Sequence, residues 1–260
     1  MARSVLVEKI PLLVGGYGPG PREEEAKQAK PNRFVEMAKA EASKDPNQIL
    51  VFADAFDVFL QQPVDYIVDE FVKMDVKVLY SAEKNCWPYI KDQESIDAMC
   101  SLFPGDPEMI AVYAPDPSPK WLNSGAMMCR ASDCAQWFQE TMSNTPKYHA
   151  ENDQARAYDL CIKWGERCKL DYREKIFKSM WISLDDMQYI GGKYVNVKTN
   201  TTPAFMHFNG GMPEFSSWEG KVWNRKTNVK LQNIEFHENS FYSAGYEYLC
   251  SKFGGFPYRD

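Results

Sequence analysis

Two aspartates that follow an apolar run are the first residues in the chain that could do chemistry. Asp54 and Asp57 come directly after Ile49–Ala53, in which every residue is apolar. Such a run predicts a central parallel strand with helices over both faces. Ligands of open α/β sheets bind at the carboxyl ends of strands, and two carboxylates there could share a hard cation such as Mg²⁺ or Mn²⁺. The alternative is that Asp54 caps a loop and Asp57 opens a helix.

One histidine has a setting that could add a third ligand. His207 lies in the apolar segment Ala204–Phe208, directly before a turn at Asn209-Gly210-Gly211. An imidazole is acceptable to Mn²⁺ beside two carboxylates. Taken alone, a histidine among apolar residues is more often part of a core. His149 and His237 lack this setting and are interpreted as structural.

Helical spacing and short apolar runs alternate along the chain and must position these residues. The patterns predict helices at 33–43, 64–74, 96–102, 131–142 and 153–163, and strands at 49–53, 76–81, 122–129 and 202–208. This alternation predicts βαβ units and an α/β fold with a mixed, mostly parallel sheet flanked by helices. The charged stretch from Pro19 to Pro31 reads as a surface loop. No linker is visible, so we expect a single domain over residues 1–260.

The composition excludes some classes of protein. The net charge of −6 provides no basic field for a phosphate backbone, so nucleic acid is not an expected partner. No apolar run is long enough for a transmembrane segment. Glu8 and Lys9 stand where a signal peptide needs its apolar centre, so none is predicted. An anionic ligand would need a local device, for which a bound divalent cation is the usual solution.

Six of the seven cysteines bracket short segments. The bracketing pairs are Cys86 with Cys100, Cys129 with Cys134, and Cys161 with Cys168, and Cys250 is left over. Disulfides at these positions would indicate an oxidising compartment. The alternative is seven free thiols, because an odd count without a CxxC motif defines no framework. We predict that the Cα atoms of Cys86 and Cys100 lie within about 7 Å.

Five short motifs resemble, in the same order, the glycosyltransferase domain of the procollagen lysyl hydroxylase family. They are Asp54-Ala55-Phe56-Asp57-Val58, Tyr80-Ser81-Ala82-Glu83, Leu122-Asn123-Ser124-Gly125, Asn152-Asp153-Gln154 and His207-Phe208-Asn209-Gly210. The resemblance covers roughly Leu12 to Met212. It implies a GT-A (Rossmann-like) fold, a hexose donor such as UDP-glucose or UDP-galactose, and Mn²⁺ or Mg²⁺ bound by Asp54, Asp57 and His207.

The resemblance also implies catalytic residues. An acidic cluster of the family maps onto Asn152 and Asp153, although Asn152 stands where relatives often carry a second acid. Asp153 is then expected either to deprotonate the acceptor hydroxyl or to stabilise positive charge at the anomeric carbon. The alternative is that Asp153 only caps its helix.

Substrate-binding positions follow from the same motifs. They are Glu83, Asn123, Ser124, Gly125, Asn209 and Gly210. Arg33 falls near a basic position of the family and could face the diphosphate, with a solvated surface role as the alternative. The family's first strand, which helps to hold the uridine, is expected to be missing here. Either the start is truncated, or the base is held differently, by aromatics such as Tyr17 or Trp87.

The resemblance leaves three functions open. An active transferase would act on a protein or glycan acceptor, such as hydroxylysine or a glycan linked to it, in the endoplasmic reticulum or Golgi lumen or outside the cell. A non-catalytic binding module is favoured by the missing strand and by Asn152. A UDP-sugar hydrolase could use the same site. Nothing in the chain resembles the dioxygenase domain of the hydroxylases, so hydroxylation is not predicted.

Overall fold

The computed structural model describes residues 12–14, 23–54, 57–87, 93–144, 153–210, 212, 214, 218 and 234–236. The strands are β1 (Leu12–Val14), β2 (Ile49–Ala53), β3 (Val58–Leu60), β4 (Val78–Glu83), β5 (Trp121–Arg130), β6 (Cys168–Asp171), β7 (Phe177–Ser179), β8 (Met187–Ile190), β9 (Lys193–Asn196), β10 (Phe205–His207) and β11 (Ile234–Phe236). The helices are α1 (Glu23–Lys44), α2 (Val64–Met74), α3 (Gln93–Cys100), α4 (Pro107–Tyr113), α5 (Ala131–Ser143) and α6 (Asp153–Trp164), with short 3₁₀ turns at Gly165–Arg167 and Leu184–Asp186.

The main sheet has the strand order β2-β5-β4-β6. Strand β5 runs antiparallel to β2 and to β4, whereas β4 and β6 are parallel. Three of the four strands therefore point the same way, and the predicted mixed α/β class is confirmed. Strand β2 was expected at the centre but lies at the edge of the described sheet, and Val51 in it is 37% exposed. An apolar run shows that both faces of a strand are covered, but it does not report what lies along its edge.

A second sheet, with the order β3-β10-β7, packs on the main sheet. The alternation of side chains along β4 shows how, because Tyr80 belongs to the core under the helices whereas Leu79 belongs to a core shared with Val58, Phe177 and Phe205. Successive strand residues point to opposite faces, so one face of the main sheet is covered by helices and the other by the second sheet together with α2, whose Ile67 and Phe71 lie in the shared core. In the second sheet, β10 is antiparallel to β3 and parallel to β7.

Helix α1 begins earlier than the sequence suggested. The stretch from Pro19 to Pro31 was predicted to be a surface loop, but α1 begins at Glu23. Residues with good helix propensity are frequent in this part of the sequence. Pro31 is accommodated inside the helix and is buried.

Aromatic packing fixes α1 on the main sheet. The ring centroid of Phe34 lies 4.7 Å from that of Phe52 on β2 and 5.2 Å from that of Phe138 on α5. Aromatic pairs at such distances contribute beyond their buried area. This packing holds the helical turn that precedes Phe34 next to the end of β2.

Three disulfides join the cysteines that bracket short segments. Cys86 and Cys100 are bonded with their Cα atoms 5.9 Å apart, as predicted. The other two pairs, Cys129 with Cys134 and Cys161 with Cys168, are bonded as well. The alternative of seven free thiols is therefore wrong for this structure. Cys250 lies outside the described residues.

The disulfides give a direct prediction. Thiol counting on the unfolded, unreduced chain should find one free thiol, because six of the seven cysteines are paired. Replacing Cys86 and Cys100 together by alanine should lower the free energy of unfolding by about 3 kcal/mol, the chain-entropy value for a loop of this length. Urea unfolding of both proteins measures it. Seven reactive thiols, or an unchanged unfolding midpoint, would contradict the pairing.

Candidate active site

Asp54, Asp57 and His207 come together where three strand ends meet. The backbone N–H of Asp54 donates to the Gly125 carbonyl at 2.8 Å, and the Asp57 carbonyl accepts from the Phe208 N–H at 2.8 Å. His207 Nε2 lies 3.7 Å from Asp54 Oδ2 and 3.4 Å from Asp57 Oδ2. One ligand atom from each of the three residues lies within 4.8 Å of the others. The predicted convergence of these side chains is therefore present.

Asn123 fixes the orientation of the imidazole. Its Oδ1 lies 3.0 Å from His207 Nδ1 and also accepts from the Gly125 N–H at 3.0 Å. An amide oxygen can only accept, so Nδ1 carries a proton and Nε2 is the nitrogen that faces the carboxylates, where it donates to Asp57 when the ring is protonated. Histidines that bind metals usually have their second nitrogen held by such a partner.

Gly125 is required by the position of the His207 ring. A Cβ atom at Gly125 would lie 2.0 Å from His207 Cε1 and 2.7 Å from His207 Nδ1, so no side chain fits there. The sequence predicted that something approaches the backbone closely at this glycine. What approaches in the structure is the protein's own histidine. A contact of Gly125 with the substrate sugar stays a prediction.

The electrostatics of the cluster favour positive charge. Burial lowers the pKa of His207, but the hydrogen bond and charge of Asp57, together with the charge of Asp54, outweigh burial and raise it. Burial raises the pKa of Asp57, but its interactions with His207 outweigh burial and lower it. The two carboxylates thus stabilise a cation at the point that Nε2 faces.

Lys30 is a site residue that sequence reasoning missed. Its Nζ donates to Asp54 Oδ1 at 2.8 Å and to the Ser124 carbonyl at 3.3 Å, and it lies 3.4 Å from Asp153 Oδ2. Burial opposes the ammonium charge, but Asp54 and Asp153 outweigh burial and raise the pKa of Lys30. The sequence did contain a clue to Lys30, because it lies four residues before Phe34. If the helix is taken to begin before residue 30, both side chains lie on the same helix face.

Asp153 begins α6 and points to the same cluster. Its Oδ2 accepts from Ser124 Oγ at 3.2 Å and shares the Lys30 ammonium with Asp54. Its predicted catalytic partner, Asn152, lies outside the described residues. Three carboxylates, those of Asp54, Asp57 and Asp153, face one ammonium, that of Lys30. With His207 neutral, the net charge of this cluster is therefore −2. A divalent cation fits this donor set in both charge and ligand chemistry.

Glu83 organises the amides around the site. It is 2% exposed, and its two oxygens accept from Gln154 Nε2 at 2.9 Å and from Asn209 Nδ2 at 3.0 Å. Gln154, which sequence reasoning did not select, also accepts from the Ser124 N–H at 2.9 Å. Its position in the Asn152-Asp153-Gln154 motif could have identified it as a site residue. Direct contact of Glu83 with the sugar stays a prediction, because both of its oxygens already bind protein amides.

The remaining predicted positions divide between the site and the surface. Asn209 accepts from Ser179 Oγ at 2.8 Å, and Gly210 follows it with φ +83°. Arg33 pairs with Glu36 at 3.1 Å on the exposed side of α1, so the structure brings Lys30, and not Arg33, to the carboxylates. A diphosphate contact of Arg33 stays a prediction.

Of the two aromatic residues predicted to hold the base, Trp87 is among the described residues and Tyr17 is not. Trp87 is exposed, and its carbonyl accepts from Gln154 Nε2 at 2.6 Å. Its backbone is therefore hydrogen-bonded to an amide that also contacts Glu83, and the residue is 43% exposed. Tyr17 lies outside the described residues. Base binding by either residue stays a prediction.

The buried carboxyl of Glu83 predicts a pH dependence of stability. Burial raises the pKa of Glu83 from 4.5 to about 7 in the folded protein. A raised carboxyl pKa contributes stability that is full below pH 4.5 and is lost as the pH rises to 7. Because one pKa unit corresponds to 1.36 kcal/mol, about 3 kcal/mol should be lost over this interval through Glu83.

Glu83→Gln isolates this contribution. Urea unfolding of the wild type and the variant between pH 4 and 8 should show a shallower decline for the variant. Burial also raises the pKa of Asp171, to about 6, but this residue is present in both proteins and cancels in the difference. Equal pH slopes would show that folding does not raise the pKa of Glu83.

The fold and the cluster define a class of protein: a mixed α/β domain with two carboxylates and an imidazole at its strand ends that could hold a cation. The chain belongs to the PLOD GT domain family, whose model matches residues 30–228. It is therefore a glycosyltransferase-family domain, and the resemblance drawn from the five motifs is confirmed. The expected GT-A fold is that of this family.

Individual relatives are distant and longer. The chain is 27% identical over 190 residues to procollagen-lysine,2-oxoglutarate 5-dioxygenase of Drosophila melanogaster, covering 68% of this chain and 23% of that protein. It is 25% identical over 187 residues to the multifunctional procollagen lysine hydroxylase and glycosyltransferase LH3 of Pongo abelii, covering 68% and 22%. The chain thus spans less than a quarter of the length of these two relatives.

One solved structure is similar to this chain at low sequence identity. The structure of mouse xyloside xylosyltransferase 1, apo form, aligns with a TM-score of 0.42 and 13% identity over 76% of this chain and 69% of that one.

None of the helices in the described residues combines the length and apolar character needed to cross a bilayer.

Proposed function

We propose that this chain is a metal-dependent glycosyltransferase that moves a hexose from a UDP-sugar to an acceptor hydroxyl. The observation that carries the proposal is the convergence of Asp54, Asp57 and His207, with one ligand atom of each within 4.8 Å of the others. Membership of a glycosyltransferase family supplies the reaction class. The site supplies the residues that could perform it.

Asp54, Asp57 and His207 would hold Mn²⁺ or Mg²⁺. When bound, such a cation neutralises the diphosphate and stabilises it as a leaving group. Asn123 keeps His207 Nε2 directed at the carboxylates, and Gly125 leaves room for the ring. Lys30 pairs with Asp54 and Asp153 and places an ammonium beside the proposed metal site, where it could contact an incoming phosphate.

Asp153 is the proposed catalytic carboxylate. Ser124 Oγ and the Lys30 ammonium hold it at the edge of the cluster, on the first turn of α6. From there it would either accept the proton of the acceptor hydroxyl or stabilise positive charge at the anomeric carbon. Glu83, Gln154 and Asn209 would hold the polar wall of the donor site in place.

The acceptor we propose is a protein or glycan, with hydroxylysine or a sugar linked to it as the first candidates. Three disulfides support a lumenal or extracellular location, because such bonds persist in oxidising compartments. A hydrolase that releases UDP without an acceptor and a non-catalytic binding domain are the competing functions.

A donor screen tests the proposal. The purified chain is incubated with UDP-glucose or UDP-galactose and Mn²⁺, with and without hydroxylysine or galactosyl-hydroxylysine peptides, and UDP release is followed. We expect release that depends on the acceptor and is lost on chelation of the metal. Release that is independent of every acceptor would indicate the hydrolase. Metal and donor binding without any release would indicate the binding domain.

A further inference from the structure

A tripeptide between β9 and β10 is not used by the chemistry described above. Asn200-Thr201-Thr202 has the Asn-Xaa-Thr pattern that accepts an N-linked oligosaccharide when the middle residue is not proline. No other asparagine in the 260-residue sequence has serine or threonine two positions later. Because a three-residue pattern also arises by chance, the surroundings of Asn200 decide whether it can carry a glycan.

Asn200 is accessible. It is an exposed residue in the turn that connects β9 to β10. Its φ of +54° lies in the left-handed region, which asparagine tolerates better than most residues. Among the residues that the structure describes, none hydrogen-bonds to the Asn200 side chain. A glycan could therefore be attached to this amide without breaking a contact with the described part of the fold.

Other residues hold the turn in place. The Asn196 N–H donates to the Thr201 carbonyl at 2.8 Å, and Asn196 Oδ1 accepts from the Lys198 N–H at 2.9 Å. Thr201 Oγ1 donates to the Glu174 carbonyl at 3.2 Å. The alternative to a modification site is that Asn200 is present to cap the turn with its amide. These contacts do not support that alternative, because none of them involves the Asn200 side chain.

The turn lies towards the end of the second sheet that is remote from the proposed metal site. In the antiparallel pair of β3 and β10, Val58 is opposite His207. Beyond the other end of β3, Gln62 Nε2 donates to the Thr202 carbonyl at 3.0 Å. The register thus carries the chain away from His207 before it reaches Asn200. A glycan on Asn200 would leave the metal site open.

The disulfides indicate a compartment in which such a modification occurs. The three bonds are Cys86–Cys100, Cys129–Cys134 and Cys161–Cys168. Disulfides persist in oxidising environments such as the lumen of the endoplasmic reticulum. The Asn-Xaa-Thr pattern is modified in secreted chains, where the bulky glycan has to lie on the surface. The sequence pattern, the exposure of Asn200 and the disulfides are three separate observations that agree.

We infer that Asn200 is an N-glycosylation site. In this step Asn200 Nδ2 forms a bond to the anomeric carbon of an oligosaccharide that is linked to a polyisoprenyl diphosphate. The bond between that carbon and the diphosphate oxygen breaks, the diphosphate leaves with the electron pair, and the amide loses one proton. The catalyst is the oligosaccharide transferase of the secretory pathway. The inference rests on the proposed lumenal or extracellular location and is independent of this chain's own transferase activity.

Release of the glycan with an N-glycosidase tests the site. The full chain is expressed behind a secretory leader in cultured animal cells, and the N-glycosidase converts a glycosylated asparagine to aspartate. We expect the intact mass to fall on treatment and aspartate to appear at position 200 in the peptide map. Thr202→Ala and Asn200→Asp should both abolish the loss of mass. Thr202→Ser should retain it, because serine also completes the pattern.

The variants separate the glycan from the turn. Thr202→Ala leaves Asn200 in the turn, and Asn200→Asp introduces a residue that also tolerates the left-handed conformation. The inference is overturned if secreted wild-type protein with its disulfides formed carries no glycan at Asn200, or if Thr202→Ala still loses mass on treatment.

UDP release, measured before and after N-glycosidase treatment of the folded protein, checks the position of the glycan. It should be unchanged, and a change would contradict the placement of Asn200 away from the metal site. A glycan at Asn200 in a protein that releases no UDP from any donor would count against the transferase proposal and leave the glycosylation site standing. Acceptor-dependent release by a secreted protein without a glycan at Asn200 would do the reverse.

Discussion

Replacing Asp57 by asparagine is expected to lower the affinity for Mn²⁺ by at least about 100-fold and to abolish sugar transfer at ordinary metal concentrations. The carboxylate lies 3.4 Å from His207 Nε2 and is one of three side chains offering a ligand atom to the same point. Loss even of an outer partner of a metal ligand costs 10–100-fold in affinity or activity, so loss of a ligand should cost at least as much. Isothermal titration with Mn²⁺ measures the affinity, and UDP release measures transfer.

A carboxylate outside the cluster provides the matched control. Asp116 is exposed and pairs with Lys198 at 3.1 Å, so Asp116→Asn removes the same charge without touching the triad. It should leave metal affinity and transfer at wild-type levels. Undiminished Mn²⁺ affinity in the Asp57 variant would end the assignment of the triad as the metal site.

The second large effect is expected at Asp153. Asp153→Asn should lower the transfer rate by about 10²–10⁴-fold, the range for a positioned acid or base. Donor and Mn²⁺ affinity should remain nearly unchanged, because the proposed role is confined to the transition state. The structure supports this separation, since Lys30 keeps its 2.8 Å contact with Asp54 when the more distant partner is neutralised. Single-turnover transfer and equilibrium binding of UDP-sugar separate the two quantities.

Ser124→Ala distinguishes catalysis from positioning at this carboxylate. It removes the hydroxyl that donates to Asp153 Oδ2 but leaves the carboxylate in place. The transfer rate should therefore fall by less than in Asp153→Asn. If Asp153→Asn weakens donor binding as much as turnover, Asp153 is a binding or helix-capping residue. If turnover is unchanged, its catalytic assignment is wrong.

The sequence alone was enough to predict those features of the site that depend on local pattern. An apolar run ending at Asp54, and another ending just after His207, placed both residues at strand ends, because side-chain pattern reports strand burial directly. Short spacing between cysteines allowed the prediction that Cys86 and Cys100 lie within disulfide reach, but it left open whether the cysteines are bonded at all. The order of five motifs identified the family without any knowledge of how they pack.

Only the tertiary structure decided which side chains meet. Lys30 reaches Asp54 because α1 extends back to Glu23 and is held by Phe34. The edge position of β2, the burial of Glu83 and the close packing of His207 on Gly125 likewise depend on strand order and register. These are relations between residues 24 to 126 positions apart, such as Lys30 with Asp54 and Glu83 with Asn209. Local pattern reports which face of an element is buried, whereas contacts between elements arise when the whole core packs together.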